Sequence, residues 1–301
     1  MILMVVLGVL LVVGIVLTIW WGGAIYESWD PAGRDDPDHR PSLGAAALRY
    51  LRGVAVALVG GFWAGLLVTG PAIRLIMRLL AATAGEGAQG AITEAEEVVG
   101  RINVDGTIGL LLFGGVLPGL LSGGIYVVVR RWLPAGRLGG VAFGVLHLVV
   151  AATRIDPLRP DNPDFDLVGP GWLSVTTFAL AAVLHGMAVV AIANRYSATL
   201  PPRTRTRAHW ARAVAPLVIP VLLLVPGAFL LLPLLVGLAI TVLATQVAPL
   251  VGALRSRAAL VVGRVALVVL FVALLPGAAL DLRDVVVRPE VPAVSTSAAP
   301  D

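Results

Sequence analysis

Long runs of hydrophobic residues, separated by short polar segments, dominate the pattern of this sequence. A helix needs roughly 20 mainly apolar residues, each adding about 1.5 Å, to cross about 30 Å of hydrocarbon. Every run that meets or approaches this length predicts a membrane-spanning helix. The runs are residues 1–21, 53–70, 107–129, 139–153, 172–194 and 258–280.

Residues 213–254 form a longer apolar stretch without any charged side chain. As one straight helix, this stretch would be about twice as long as the hydrocarbon layer is thick. The chain therefore has to turn back within it. The Val-Pro-Gly sequence at 225–227 suits a turn, because proline removes a backbone donor and glycine accepts turn dihedrals. The predicted fold is an all-α, polytopic transmembrane helix bundle of about eight spans, or about seven if 213–254 is kinked or re-entrant.

The composition agrees with a membrane protein, and the charges predict its orientation. Of the 301 residues, 58% are hydrophobic and only 13% are charged, which is too apolar for a soluble domain. With the loop after the first span in the cytoplasm, about twice as many arginines fall inside as outside. The positive-inside rule then places both termini outside a bacterial cytoplasmic membrane. No nucleic-acid partner is expected, because the arginines flank apolar runs and serve there to orient helices.

The spans divide the chain into segments with different expected roles. The first span is predicted to be an anchor, because it lacks a basic leading region and a clear cleavage site. Residues 71–80 have the apolar pattern of a short helix lying in the membrane interface. The predicted segments are an N-terminal anchor (1–21), a cytoplasmic loop (22–52), a Gly-rich four-span core (53–194) with external loops at 71–106 and 154–171, a basic cytoplasmic loop (195–212), a three-span C-terminal hairpin region (213–280) and a disordered tail (281–301).

Three of the predicted spans share the pattern GGxxxG. Glycines four residues apart on one helix face let a second backbone approach closely, which favours association where lipid offers no hydrophobic force. The pattern therefore predicts that these spans pack tightly at the centre of the bundle. The glycines concerned are Gly61 and Gly65, Gly115 and Gly119, and Gly140 and Gly144.

His147 and His185 lie near the middle of two successive predicted spans that run in opposite directions. An ionisable residue inside the membrane is a candidate for function, for example on a transport path. A neutral histidine can equally hydrogen-bond between helices. Two histidines without a third ligand are too few for a typical zinc site.

Residues 154–166, RIDPLRPDNPDFD, form the most polar connection between two spans. The prolines favour extended or turned backbone, and Asp and Asn side chains cap such turns, with Asp166 expected to pair with Arg154 or Arg159. So many carboxylates also suit a cation, a lipid headgroup or a partner, and the sequence leaves open whether a metal binds. The candidate residues are Asp156, Arg159, Asp161, Asn162, Asp164 and Asp166, together with Arg74 and Arg78 of the preceding external loop.

Common enzyme signatures such as HExxH, GxSxG and the P-loop do not occur in the sequence. The first function hypothesis is therefore a non-enzymatic envelope scaffold or accessory subunit with an acidic external loop. The alternatives are a small-molecule carrier or pore lined by His147 and His185, and a membrane enzyme that acts on lipid substrates. No cofactor is expected. The expected partners are the lipid bilayer and either another membrane protein or a second copy of the chain.

Two segments carry a resemblance to other proteins. RINVDGTIGLLLFGG at 101–115 and IDPLRPDNPDFDLVGPGW at 155–172 resemble segments of multipass membrane proteins from GC-rich bacteria. The resemblance covers roughly residues 53–194. It implies the polytopic fold and brings with it no activity, cofactor or site residue.

The predicted orientation can be tested with single cysteines, because the sequence has none. Asp161→Cys should react with a membrane-impermeant maleimide in intact cells, since the 154–171 loop is predicted to lie outside. Arg207→Cys, in the loop predicted to be cytoplasmic, is the matched control and should react only after lysis. The reverse order of labelling would show that the predicted topology is upside down.

Overall fold

All regular structure in the described part of the chain is helical. The structure of the protein, a computed structural model, describes residues 1–29, 42–201, 206–224, 236–237, 239–240 and 256–288. Within these ranges it contains no strand, only an isolated antiparallel bridge between Ile92 and Val98. The predicted all-α class is therefore confirmed for the described residues.

Among the described residues, the helices are α1 Ile2–Trp21, α2 Leu43–Thr83, α3 Val104–Val129, α4 Gly136–Ala152, α5 Asp164–Leu167, α6 Gly171–Ser197, α7 Arg207–Leu224 and α8 Arg257–Val287. Five of them, α1, α2, α3, α6 and α8, are long and apolar enough to cross a membrane, and α4 is a shorter apolar helix. They support a multipass membrane protein, while the predicted count of about eight spans is not confirmed.

The predicted C-terminal hairpin falls mostly outside the described residues. Helix α7 contains the beginning of the apolar stretch 213–254 and is described as far as Leu224. The turn predicted at 225–227 lies outside the described residues, so the prediction of two crossings there stays a prediction.

Short polar side chains determine where several helices begin. The Ser42 hydroxyl accepts a hydrogen bond from the Ala45 N–H at the start of α2. The Asn103 side chain accepts one from the Gly106 N–H at the start of α3. Such N-caps satisfy donors that have no partner within the helix. Helix α2 therefore begins well before residue 53, where the predicted span starts.

Helix α2 continues through Pro71, where the sequence analysis placed the end of a span and a separate interfacial helix. Proline lacks an N–H, and its ring clashes with the carbonyl four residues earlier, so it usually ends or kinks a helix. In α2 the preceding turn, Gly65–Thr69, is widened into a π-helix, and the Gly70 N–H donates to the Gly65 carbonyl. The wider turn accommodates the ring, so the prediction of a separate helix at 71–80 is wrong.

The same device recurs in α3. Its π segment, Leu110–Val116, directly precedes the turn that contains Pro118, and the Leu117 N–H donates to the Leu112 carbonyl five residues earlier. The π segments of α2 and α3 contact each other. Both helices therefore accommodate a proline at the same level of the bundle and stay continuous.

The contact between α2 and α3 joins backbones rather than side chains. The helices run antiparallel, with Gly61 against Gly119 and Gly65 against Gly115. A Cβ atom at any of these four positions would overlap a backbone atom of the opposite helix. Both glycine pairs of these two GGxxxG patterns therefore lie where the helices cross.

Helix α6 lies at the centre of the bundle and packs against α1, α2, α3 and α4. Its contact with α4 also depends on glycine, because a Cβ at Gly144 would overlap the backbone at Val183, and Gly140 lies against Met187. Ala188, Val189 and Ala193 of α6 are completely buried. The third GGxxxG pattern thus lies where α4 packs on the central helix α6.

Helix α8 includes residues that the sequence analysis assigned to a disordered tail. It ends at Val287, and Asp281 forms an ion pair of 3.4 Å with Arg154. Val285 is completely buried, and its carbonyl packs against Gly171 at the start of α6. These contacts hold the end of the helix, so the prediction of disorder is wrong for residues 281–287. Residues 289–301 lie outside the described part.

Substitution of glycine tests the backbone contact. Gly61→Ala should lower the free energy of unfolding by about 1–3 kcal/mol, because the new Cβ forces α2 and α3 apart. Gly124→Ala is the matched control, since α3 has open space at that position. The control should be neutral or stabilising by up to about 1 kcal/mol from helix propensity. Thermal unfolding in detergent measures both, and equal effects would contradict the proposed contact.

Candidate functional site

Two loops meet at one end of the bundle and form what we call the polar cap, residues 84–103 and 153–170. The loops follow α2 and α4 and precede α3 and α6. The Thr83 hydroxyl at the end of α2 donates to the Gly169 carbonyl at 2.6 Å. The polar cap contains most of the ligand candidates from the sequence analysis, so its fold determines which of their side chains lie close together.

The 154–166 segment folds as a packed turn. Leu158 and Phe165 are buried at 0% and 8% exposure and pack on the apolar residues of α2 and α6. Asn162 is buried too, and its side-chain oxygen accepts a hydrogen bond of 2.8 Å from the Asp164 N–H. This is the local capping expected of Asn in a proline-rich turn. The two apolar side chains anchor the loop on the helices below.

Two of the four aspartates of this segment form ion pairs that point away from the bundle. Asp161 lies 3.1 Å from Arg159 and has an exposed side chain. Asp166 lies 3.2 Å from Arg288. The predicted pairing of Asp166 with Arg154 or Arg159 is therefore wrong, because the end of α8 brings a third arginine to this carboxylate.

Arg288 also holds the backbone of the loop. Its guanidinium donates to the Asn162 carbonyl at 2.6 Å and to the Pro160 carbonyl at 2.8 Å. A planar guanidinium can make several such bonds at once. Sequence analysis missed this residue because Arg288 lies far along the chain, in a segment that was expected to be disordered.

Glu94 joins the two loops of the polar cap. Its carboxylate pairs with Arg159, and its N–H donates to the Asp164 carboxylate at 2.8 Å. Glu94 was not among the candidate residues. Nothing in the sequence of its own acidic loop predicts that Glu94 contacts the 153–170 loop.

A cavity of about 180 Å³ lies between the polar cap and the ends of the helices. Among the candidate residues, those that line it are Arg74, Arg78, Asp156, Asn162 and Asp164. Glu94, Glu97 and Arg101 add charges, and much of the remaining wall is apolar, including Ile73, Met77, Leu80, Phe165 and Phe178. Arg159, Asp161 and Asp166 are not part of its lining.

Arg74 is the most unusual residue of this cavity. It is only 8% exposed, and its Nε and Nη2 atoms are buried without a hydrogen-bond partner. Among the described residues it forms no ion pair. A buried cation without a partner destabilises a fold, because it has lost its hydration without compensation. Arg74 is carried into this position by the unbroken course of α2 through Pro71.

Arg78, one turn further along α2, differs from Arg74 in its surroundings. It is exposed, and its Nη1 donates to the Gly100 carbonyl at 3.3 Å. Sequence analysis treated the two arginines alike, as residues of an external loop. The structure separates them, since only Arg74 is enclosed.

The charges of the cavity form two poles. The charged neighbours of Arg74 are Glu97 and Arg78, whereas those of Asp156 are Arg159, Glu94 and Asp164. The Glu97 carboxylate accepts a hydrogen bond of 3.0 Å from the Asn103 side chain. The cavity therefore has a basic pole at Arg74 and an acidic pole at Asp156 and Asp164.

The pKa of both carboxyl groups at the acidic pole is raised, although Asp156 is exposed and Asp164 is half-buried. Loss of hydration is the largest cause for Asp156 and for Asp164, and the nearby Glu94 carboxylate adds repulsion to each. Hydrogen bonding from the Glu94 N–H opposes the rise at Asp164. Both groups are therefore held in surroundings that disfavour their negative charge.

His147 and His185 come together inside the bundle. Their ring centroids are 4.8 Å apart with the ring planes inclined by 46°. His185 is 1% exposed, and its Nδ1 lies 2.5 Å from the Thr69 hydroxyl of α2. The His185 Nε2 atom is buried without a partner. The Ser122 hydroxyl of α3 lies 3.5 Å from His147 Nδ1.

This arrangement connects α4 and α6 to α2 and α3 through polar side chains. Thr69 ends the π segment of α2, and His147 directly precedes the π segment Leu148–Ala152 of α4. A second cavity, of about 220 Å³, lies beside Thr18 and Arg137. No histidine lines this cavity or the one below the polar cap. The pair thus has the contacts of an interhelical hydrogen-bonding site.

Possible metal ligands do not gather in the described part of the chain. No group of three or more His, Asp or Glu side chains is placed to hold a metal ion there. No protein-family model, curated protein or solved structure matches this chain. The chemistry of the residues is therefore the basis for a functional assignment.

The raised pKa values of Asp156 and Asp164 predict how stability depends on pH. A carboxyl whose pKa is higher in the folded state stabilises the fold below its unfolded pKa, about 3.9 for Asp, and this contribution is lost as pH rises. The free energy of unfolding should therefore fall as pH rises from about 4 through the folded pKa values. Thermal unfolding in detergent across this range measures the slope.

Asp164→Asn should flatten the pH dependence, because Asn keeps the acceptor for the Glu94 N–H and carries no charge. Asp161→Asn is the control, since Asp161 is exposed outside the cavity and should leave the slope as it is. An unchanged slope in Asp164→Asn would contradict the assignment of the acidic pole.

Proposed function

We propose that the protein is a non-enzymatic membrane protein, an accessory subunit or envelope scaffold, that binds the phosphate or carboxylate group of an amphiphile's headgroup in the cavity below the polar cap. The observation that carries this proposal is Arg74, a residue of the cavity lining whose Nε and Nη2 atoms are buried without a hydrogen-bond partner. A phosphate or carboxylate oxygen is the partner that a guanidinium fork fits best.

The depth of Arg74 supports a lipid as the source of this anion. Helix α2 has 41 residues and is about 62 Å long, roughly twice the thickness of the hydrocarbon layer. If the excess is shared between its two ends, Arg74, about 13 Å before the end at Thr83, lies close to the edge of the hydrocarbon. Lipid phosphates lie at this level. The apolar part of the wall suits the beginning of the acyl chains.

Among the ligands considered from the sequence, a headgroup fits better than a free cation. The sequence suggested a cation because of the aspartates in 154–166. Asp161 and Asp166 pair with arginines, and no group of three or more His, Asp or Glu side chains is placed to hold a metal ion among the described residues. The partner that the unsatisfied Arg74 requires has the opposite charge.

A membrane enzyme acting on lipid substrates is the second candidate. The observation in its favour is that Asp156 and Asp164 line the same cavity as Arg74 and Arg78. Carboxyls with raised pKa values beside a bound phosphate are suited to proton transfer. Mass spectrometry of the bound lipid after prolonged incubation separates the two candidates, because a binding protein returns the lipid unchanged.

The proposed location is the bacterial cytoplasmic membrane, with both termini and the polar cap outside. The support for this orientation is the larger number of arginines on the opposite side of the membrane. The cavity then binds lipid of the outer leaflet. A carrier lined by His147 and His185 gains no support, because neither cavity reaches these residues.

Arg74→Gln tests the proposed function. The full chain, purified in detergent, should bind added phosphatidylglycerol at least roughly tenfold more weakly, since a charge-assisted hydrogen bond is lost. The same substitution should keep or raise the melting temperature without lipid, because it removes an unpaired buried charge. Native mass spectrometry and thermal unfolding measure the two effects.

Arg78→Gln is the matched control, one turn away on α2, and should change binding much less. Binding by Arg74→Gln at the wild-type level would overturn the proposal. A large loss of stability in the absence of lipid would mean that Arg74 has a structural role instead. If the Gln variant cannot be purified, Arg74→Lys keeps the charge, loses the planar fork and should show a smaller loss of binding.

A further inference from the structure

We propose that the headgroup is zwitterionic, with its phosphate at Arg74 and a primary ammonium group at Asp156 and Asp164. This inference depends on the proposed function of the same cavity and names the class of its ligand, an aminophospholipid of the phosphatidylethanolamine kind. The underlying observation is that the lining of one cavity contains both Arg74, with its unpartnered buried nitrogens, and the carboxylates of Asp156 and Asp164.

The acidic pole has free bonding capacity. No hydrogen bond or ion pair of the Asp156 carboxylate is found with any described residue, although Arg159 and Asp164 are among its charged neighbours. Asp164 uses one oxygen to accept the Glu94 N–H. An ammonium group has three donors and can reach more than one carboxylate at once. The unused oxygens of Asp156 and Asp164 therefore match a primary amine.

The arginine near the acidic pole does not fill this role. Arg159 pairs with Glu94 and Asp161, and it is not part of the cavity lining. Its guanidinium is thus engaged by these two carboxylates. Asp156 and Asp164 line the cavity, and neither forms an ion pair with a cation among the described residues.

A purely anionic headgroup suits this cavity less well. Four carboxylates belong to the lining, against three arginines, and this balance disfavours a headgroup whose net charge is negative; the residues are Glu94, Glu97, Asp156 and Asp164 against Arg74, Arg78 and Arg101. Loss of hydration already raises the pKa of Asp156 and Asp164 and so disfavours their ionised forms. An ammonium group beside them stabilises these ionised forms. A headgroup without net charge, one phosphate and one amine, complements both poles.

A primary amine is favoured over a quaternary one. A trimethylammonium group has no N–H to donate to a carboxylate, and its recognition usually uses aromatic side chains that face the charge. The acidic pole offers two carboxylates that can accept from N–H donors, and the aromatic residues of the lining are limited to Phe165 and Phe178. Phosphatidylcholine should therefore bind more weakly than phosphatidylethanolamine, although both are zwitterionic.

Competition among three lipids tests the inference. The purified full chain is exposed to phosphatidylethanolamine, phosphatidylglycerol and phosphatidylcholine with identical acyl chains, and binding is measured by native mass spectrometry. Phosphatidylethanolamine should bind roughly tenfold more tightly than the other two, since each lacks the charge-assisted hydrogen bonds of the amine.

The variants assign this preference to the acidic pole. Asp156→Asn together with Asp164→Asn should bring the three affinities within about twofold of one another, while leaving phosphatidylglycerol bound. Asp161→Asn, which removes an exposed carboxylate outside the cavity, should keep the wild-type preference. Since Asn is close in size to Asp and keeps an acceptor, the double variant should fold as the wild type does.

The outcomes distinguish this inference from the proposed function. One outcome is that the wild type binds phosphatidylglycerol as tightly as phosphatidylethanolamine or more tightly, and that this binding is lost in Arg74→Gln. This result overturns the proposal of a zwitterionic headgroup and leaves the proposed headgroup binding intact. A preference for phosphatidylethanolamine that survives in the double variant also overturns it, because the amine would then bind elsewhere. Binding of all three lipids independent of Arg74 overturns both proposals.

Discussion

The close approach of the α2 and α3 backbones is the contact on which the rest of the structure depends. In lipid, helices gain little from burying apolar side chains, so association needs a fit of backbone against backbone. Gly61 and Gly65 of α2 provide it together with Gly115 and Gly119 of α3. With this crossing in place, the π segments of both helices also face each other, and α2 continues past Pro71. The enclosed position of Arg74 follows from that continuity.

The parts of the fold that could be predicted are those that depend on local pattern. Apolar length predicts where α1, α3 and α6 lie, and the GGxxxG spacing points to the glycines that meet at the crossings. Pro71 shows the limit of such rules. A proline signals the end of a helix, and only the partner helix decides whether a π turn can accommodate it.

The same contrast between local pattern and long-range contact applies to the candidate site. Asp156, Asp164 and Arg74 could be chosen from the sequence because charged residues between apolar spans are few. Their division into a basic and an acidic pole could not, because it depends on how 84–103 folds onto 153–170. Glu94 and Arg288 were missed for this reason, since each acts on residues that are distant in the sequence. Local chemistry indicates which residues can act, and long-range packing determines which of them act together.

The bonds from Arg288 to the Pro160 and Asn162 carbonyls have a consequence for biogenesis. They join residues more than a hundred positions apart, so the loop cannot reach its final arrangement until the ribosome has delivered the whole of α8. During translation, the earlier helices therefore insert into the bilayer while the 154–166 loop still lacks its hydrogen bonds to Arg288. Helix α8 therefore completes a structure that was begun by α2 and α4.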